Sequence, residues 1–269
     1  MPASRSLKLL ALRDGIARSG RREVPEEVAV AVTYDGSTHA VMMATPADLD
    51  DFALGFTLTE GIASAAGEIE GVEVLEVALG MELRIRLAAA PGAALAARRR
   101  RMAGPTGCGL CGVESLEEAL RPLPFVAAET ALAPADIAAA MSALAPAQAL
   151  NRATRATHAA AFWRPGAGLV AVREDVGRHN ALDKLVGHLF ATGTDAGAGV
   201  VLMTSRVSVE IVQKAASIGA SILVAVSAPT ALAVRMAQES GMTLIAVARD
   251  DQFEVFTHPE RIGGITVPA

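Results

Sequence analysis

Three short and continuously apolar runs, Gly199 to Thr204, Ser221 to Val226 and Thr243 to Ala248, are separated by amphipathic stretches at roughly 207–218 and 229–240. Strands this apolar have both faces covered, and strands joined through helices pair in parallel. A fourth run, Gly168 to Arg173, precedes a helical stretch at 178–190, and Phe253 to Thr257 adds a last edge strand. The pattern predicts an α/β domain with a mainly parallel sheet over 126–269. Only 3% of the residues are aromatic, so its core must be built from Ala, Val, Leu and Ile. That composition suits helices packed on a sheet.

The N-terminal part reads differently. The first 20 residues contain several basic side chains and no sustained period, which predicts a mobile arm. Residues 21–125 then form a smaller α+β module. Val28 to Tyr34 and Thr38 to Met43 flank Asp35-Gly36, the pair that a type I′ hairpin turn prefers because both central residues need positive φ. Thr45 is placed to cap a helix over 46–60, with Pro46 in its first turn and Gly61 past its end. Val72 to Leu79 and Leu83 to Leu87 make a second strand pair across Gly80, so the order is β-β-α-β-β. Residues 88–112 are rich in Ala, Gly and Pro, include four consecutive arginines from Arg98 to Arg101, and read as a long functional loop. Ser115 and Glu118 then suggest a capping box for a helix ending before Pro122.

The charge balance, 24 basic against 29 acidic side chains, and the lack of any basic face interleaved with aromatics argue against a nucleic-acid partner. No apolar run reaches the length of a membrane span, and the N-terminus lacks a secretory apolar region, which points to a cytoplasmic protein with no membrane partner. The two cysteines, Cys108 and Cys111, lie three positions apart. A loop that small gains little from a cross-link, and a reducing compartment disfavours one, so the pair reads as chemical. The arginine run upstream and the helix start downstream both favour thiolate. One thiol could carry a persulfide, and the other could attack it, releasing sulfide and leaving an internal disulfide. Zinc is the competing use. It needs further ligands, and His39, His158, His179, His188 and His258 show no zinc spacing. A solvated basic patch remains the bland reading of Arg98 to Arg101.

Ligands of open α/β sheets gather at the carboxyl ends of strands. Those ends carry Arg173, Glu174, Asp175 and His179, then Ser205 and Arg206, then Ser227 and Thr230, then Arg249, Asp250 and Asp251. Ser227 is placed to cap the following helix, whose free N–H groups suit phosphate with Arg206 and Arg249 beside it. His179 and Asp183 share a helix face four residues apart, so the carboxylate either orients the imidazole or satisfies a buried one.

Together, Gly107 to Gly112, Arg173 to Gly187, Ser205 to Glu210 and Ser227 to Val234 resemble the FdhD family of formate dehydrogenase accessory sulfurtransferases. The resemblance implies that a cysteine desulfurase delivers sulfur to the C-x-x-C, with Cys108 as persulfide carrier. It implies transfer to a molybdenum or tungsten bis(molybdopterin guanine dinucleotide) cofactor, a substrate that GDP would mimic, before insertion into formate dehydrogenase. It further implies a homodimer and a cytidine-deaminase-like C-terminal domain without zinc. Val247, Ala248, Arg249, Asp250, Asp251 and Gln252 match the family's guanine-dinucleotide-binding stretch, beside Arg206, Ser227, Thr230, His179 and Asp175. The alternative is a non-catalytic cofactor-binding chaperone with redox-sensing cysteines.

Overall fold

The computed structural model describes residues 1–99, 123–127, 130–249 and 251–264. The expected structureless arm is replaced by a hairpin. Strands β1 (Ser4–Arg13) and β2 (Ile16–Pro25) pair antiparallel from Ser4↔Pro25 to Arg13↔Ile16. Asp14 and Gly15 turn it with φ of 51° and 76°. This Asp-Gly is the same turn signal as Asp35-Gly36, but here the strands lack alternation. Leucines stand on both faces, among basic residues, because no core lies beneath them.

The α+β module follows its predicted order. β3 (Val28–Tyr34), β4 (Ser37–Ala44), β5 (Ile69–Val77) and β6 (Gly80–Leu87) form a sheet in the order β4-β3-β6-β5. Helix α1 (Leu49–Thr59) covers one face, packing Phe52 and Phe56 against Val30, Val32, Leu83 and Ile85. The helix starts later than expected. Asp48, in a left-handed conformation, is its N-cap, and Thr45 makes its bonds to the other half of the chain. Part of the predicted loop is also regular, since Ala89–Arg99 form helix α2.

Helices α3 (Pro134–Ala147) and α4 (Ala149–Thr154) lead into the second sheet. Its strands are β7 (His158–Arg164), β8 (Gly168–Asp175), β9 (Val200–Met203), β10 (Ile222–Ala225), β11 (Thr243–Arg249) and β12 (Gln252–Val255), in the order β12-β11-β10-β9-β7-β8. The sheet is mixed rather than mainly parallel. Only β9-β10 and β10-β11 pair in parallel, and the other three pairings are antiparallel. The difference comes from β7, whose Ala-rich sequence carries no strand signal. It inserts between β9 and β8 and makes β8 the second arm of a hairpin. Helices α5 (Arg178–Ala191), α6 (Val209–Ser217) and α7 (Ala231–Glu239) pack on one face through Leu182, Leu185, Val212 and Met236. Helix α3 covers the other through Ile137 and Leu144, which meet Trp163, Leu202 and Ile245. Alternate strand residues thus serve two cores, which explains the unbroken apolar runs.

The two halves meet where α1 crosses α5 at Gly55 and Gly187. A Cβ on Gly55 would lie 1.7 Å from the Asp183 carbonyl oxygen, and one on Gly187 would lie 1.9 Å from that of Asp51. Two buried ion pairs flank the crossing. Lys184 donates to Asp175 Oδ2 at 2.7 Å and to the Thr45 carbonyl at 2.9 Å. Lys214 donates to Asp183 at 2.9 Å, to Glu60 at 2.9 Å and to Thr59 at 2.8 Å.

Candidate functional site

Strands β8, β9, β10 and β11 run in the same sense, so their carboxyl ends form one edge, joined by the start of β7. Two loops on this edge brace each other. Val207 N donates to the Ala228 carbonyl at 3.3 Å, and Thr230 N to that of Val207 at 2.9 Å. Ser205 Oγ closes its own loop on the Arg206 carbonyl at 2.9 Å. Thr230, rather than Ser227, caps α7, its hydroxyl accepting from Ala233 N at 3.2 Å. Ser227 offers its carbonyl to Val247 N at 3.4 Å. Arg206 and Thr230 are exposed on the rim.

Val247 carries a φ of 53°, in the left-handed region that β-branched residues avoid, where the β11-β12 register shifts between Ala246 and Arg249. The shift redirects the chain. Ala248 is buried, while Arg249, Asp251 and Gln252 are exposed. Strain held at a strand end by the surrounding fold is a feature of ligand sites.

Beside this rim, the first turns of α5 and α6 bring Arg178, His179, Ser208 and Glu210 together. His179 Nε2 lies 4.0 Å from Glu210 Oε2, beyond hydrogen-bond length. Arg178 Nε, His179 Nε2 and Glu210 Oε2 are buried and have no hydrogen-bond partner among the described residues. Burial pushes the His179 imidazole down to about 4, aided by Arg178 and Lys214 and opposed by Glu210 and Glu60. His158, at the start of β7, is also pushed down, first by burial and then by Arg178. Burial raises the Glu210 carboxyl, but Ser208, its own backbone, His179 and Arg178 together bring it below the ordinary carboxylate range. The cluster thus holds a guanidinium donor, a carboxylate acceptor and a neutral imidazole. Buried groups of this kind are normally paired, and a polar ligand with both donors and acceptors would satisfy them.

Imidazole resonances should show His179 neutral throughout the range above pH 5, titrating near 4. Protonation then favours the unfolded chain, whose histidine titrates near 6.5. The contribution of His179 to stability, up to about 3 kcal/mol, is complete above pH 6.5 and lost as pH falls through 4. An imidazole titrating at 6 or above would contradict this environment.

A profile of the FdhD/NarQ family matches residues 25–263. The chain belongs to this family. Relatives of this FdhD/NarQ member include the sulfur carrier protein FdhD of Agrobacterium fabrum, 54% identical over 94% of this chain and 93% of that protein. The protein of the same name from Brucella abortus is 53% identical over 96% and 97%. A crystal structure from Desulfotalea psychrophila, described as a formate dehydrogenase accessory protein, superposes with a TM-score of 0.77 at 27% identity, covering 97% of this chain and all of that one.

In this FdhD/NarQ chain, several residues expected at the strand ends have internal partners. Asp175 is fully buried, and its oxygens accept from Thr45 N, Lys184, Gly177 N and Asn180. Glu174 caps α4, accepting from Leu150 N and Asn151 N at 2.7 Å each. Arg173 binds Asp51 at 2.7 Å and His188 at 2.7 Å. Asp183 turns to Lys214 and Thr59 rather than to His179. The edge therefore gathers His179, Arg206, Ser227, Thr230 and Val247, with Arg249, Asp251 and Gln252 exposed beyond them. Cys108, Cys111, Asp250 and the predicted helix after Ser115 lie outside the described residues. Sequence reasoning assigns no role to His158, Arg178 or Glu210. The available clue is the adjacency of Arg178 and His179 at a helix start, since Glu210 joins them only through the fold. Among the described residues, no group of three or more His, Cys, Asp or Glu is placed to hold a metal, and no helix is long and apolar enough to cross a membrane.

Proposed function

We propose that this chain is a sulfur carrier of formate dehydrogenase maturation, working in the cytoplasm as a homodimer. The observation that carries this reading is similarity along nearly the whole chain to proteins named sulfur carrier protein FdhD, one of them 54% identical over 94% of this chain. In the first step, the Cys108 thiolate attacks the terminal sulfur of a persulfide on a cysteine desulfurase. A Cys108 persulfide forms and the desulfurase thiolate leaves. Attack by Cys111 on the Cys108 sulfur then releases hydrosulfide to the acceptor and leaves a Cys108–Cys111 disulfide, which a cellular dithiol reduces.

The acceptor in this reading is a molybdenum or tungsten bis(molybdopterin guanine dinucleotide), bound as substrate and loaded before insertion into formate dehydrogenase. Arg206 and Arg249 supply positive charge on the rim for its pyrophosphates, and Thr230 marks the start of α7, whose free N–H groups suit the same anion. The strained backbone at Val247, the exposed side chains of Asp251 and Gln252, and the unsatisfied groups of Arg178, His179 and Glu210 provide polar contacts beside them. The C-terminal layers are then a cytidine-deaminase-like domain used for a dinucleotide. Binding of GDP at this edge is expected to be lost in Arg249→Glu.

In cells lacking the native protein, Cys108→Ala is expected to abolish formate dehydrogenase activation, with the enzyme still synthesised. Full activation by that variant would instead favour a cofactor-binding chaperone with redox-sensing cysteines.

A further inference from the structure

A cavity of about 560 Å³ lies where α1, α5 and α6 end. Helices α5 and α6 start at the strand carboxyl ends, where Arg178, His179 and Glu210 meet, and the 14 residues of α5 carry the chain about 20 Å away from that edge. The cavity is therefore a second place, away from the groups assigned to the dinucleotide. Its volume falls within the roughly 300–1,000 Å³ typical of small-molecule sites. The two halves of the molecule share its walls. Leu58 comes from α1, Val186, Leu189 and Phe190 from the last turns of α5, and Ile218 from the end of α6, with Leu123 beside them. An apolar body fits such walls.

The polar groups around it select the charge of an occupant. Each of the three helices stops at a glycine in the left-handed region, Gly61, Gly193 and Gly219, with φ of 65°, 64° and 75°. The N–H groups of these glycines turn back onto the carbonyls of Leu58, Phe190 and Ala216. Three helix carboxyl ends, each the negative end of a dipole, thus surround one cavity. Carboxylates add to this field. Asp195 is an exposed lining residue whose Oδ1 accepts from Gly197 N at 2.8 Å. Glu60, the C-cap of α1, follows the lining residue Thr59. The neighbouring Lys214 is a single cation divided between Asp183 and Glu60, at 2.9 Å each. Two wall hydroxyls have already committed their hydrogens, Ser64 to Glu68 at 3.0 Å and Ser217 to the Lys214 carbonyl at 2.8 Å, so towards an occupant they act as acceptors. Among the described residues that line the cavity, none is basic. The site has a surplus of acceptors and negative charge.

We propose that this cavity binds an organic cation, an ammonium or amidinium group on an apolar body, with the charged end beside Asp195 and the helix carboxyl ends and the body between Leu58, Leu189 and Ile218. The proposal stands apart from the sulfur chemistry, because loading of Cys108 neither supports nor weakens it.

Calorimetric titration of the full chain with three compounds of one shape tests it. Phenylbutylamine is expected to bind at least about 10-fold more tightly than phenylbutanol, the sum of modest gains at three helix ends, and phenylbutyrate is expected not to bind. Methyl resonances of Leu189 and Ile218 should move during the amine titration, which places the ligand in the cavity. Asp195→Asn keeps an oxygen for Gly197 N, and should weaken the amine by about 5-fold while leaving the alcohol unchanged. Ser217→Trp puts an indole into the cavity from an exposed helix end and should abolish binding of both. Failure of the amine to bind the wild-type chain, phenylbutyrate binding as tightly as the amine, or an amine affinity unchanged in both variants would each overturn the proposal. Equal affinity for all three compounds would identify a cleft for neutral apolar groups and would overturn it as well.

Discussion

Alanine at Gly187 is expected to destabilise the protein by about 3 kcal/mol, although alanine is the better helix former. Helix propensity alone would favour the substitution by about 1 kcal/mol. The new methyl group, however, would lie 1.9 Å from the Asp51 carbonyl oxygen and 2.9 Å from Gly55 N. Both neighbours are backbone of α1, so no side chain can move aside. The helices must separate, which loosens a well-packed contact and forces strain of the size seen when cores are overfilled. Separation also pulls Thr45 away from Asp175 and Lys184, and Thr59 and Glu60 away from Lys214. Denaturant unfolding followed at Trp163 would measure the loss. Gly67→Ala is a fitting control, since its added Cβ meets nothing within 4 Å, and it should change stability by less than about 0.5 kcal/mol. A Gly187→Ala variant as stable as that control would contradict the close crossing.

Lys214→Met is expected to have an effect as large, for an electrostatic reason. Asp183 is 1% exposed and accepts from Lys214 with both oxygens, at 2.9 and 3.1 Å. Thr59 is its other donor, at 2.7 Å. Removing the ammonium leaves a buried carboxylate with one hydroxyl, and breaking such a pair costs about 3 to 5 kcal/mol. Burial already pushes the Asp183 carboxyl above its ordinary range, and Lys214 opposes that push. Without the lysine the carboxyl would rise further and remain protonated in the fold. The folded chain then binds more protons than the unfolded one, so the deficit is largest at neutral pH and shrinks as pH falls towards 4. Asp183→Asn combined with Lys214→Met should recover part of the loss at pH 7. A deficit independent of pH would assign the effect to packing against Phe56, which lies 5.7 Å from the Lys214 nitrogen.

Elements with a local signature are legible in the sequence, among them the Asp35-Gly36 hairpin, the three apolar strands β9 to β11 and the amphipathic helices between them. The β1-β2 hairpin has the same turn signal, but its strands cover no core and so show no alternation to read. Strand β7 is hidden because a run of alanines favours helix, whereas here Ala159, Ala160 and Ala161 are buried between neighbouring strands. That one strand makes the sheet mixed. For the candidate site, clustering at strand ends is legible, but the partner of each side chain is not. Asp175 and Glu174 are polar residues at the expected edge and Asp183 is placed on the helix face of His179, yet each is held by a residue from a distant part of the chain or by a helix start. Conversely, Glu210 meets His179 only because α6 folds against α5.

The central claim is that Cys108 carries sulfur. It is tested most directly by incubating the purified chain with a cysteine desulfurase and cysteine, then measuring the mass of the peptide that contains Cys108 without prior reduction. The account predicts one added sulfur atom, removed by a thiol reductant and absent from Cys108→Ala. Absence of added sulfur from both Cys108 and Cys111, with an active desulfurase present, would contradict it.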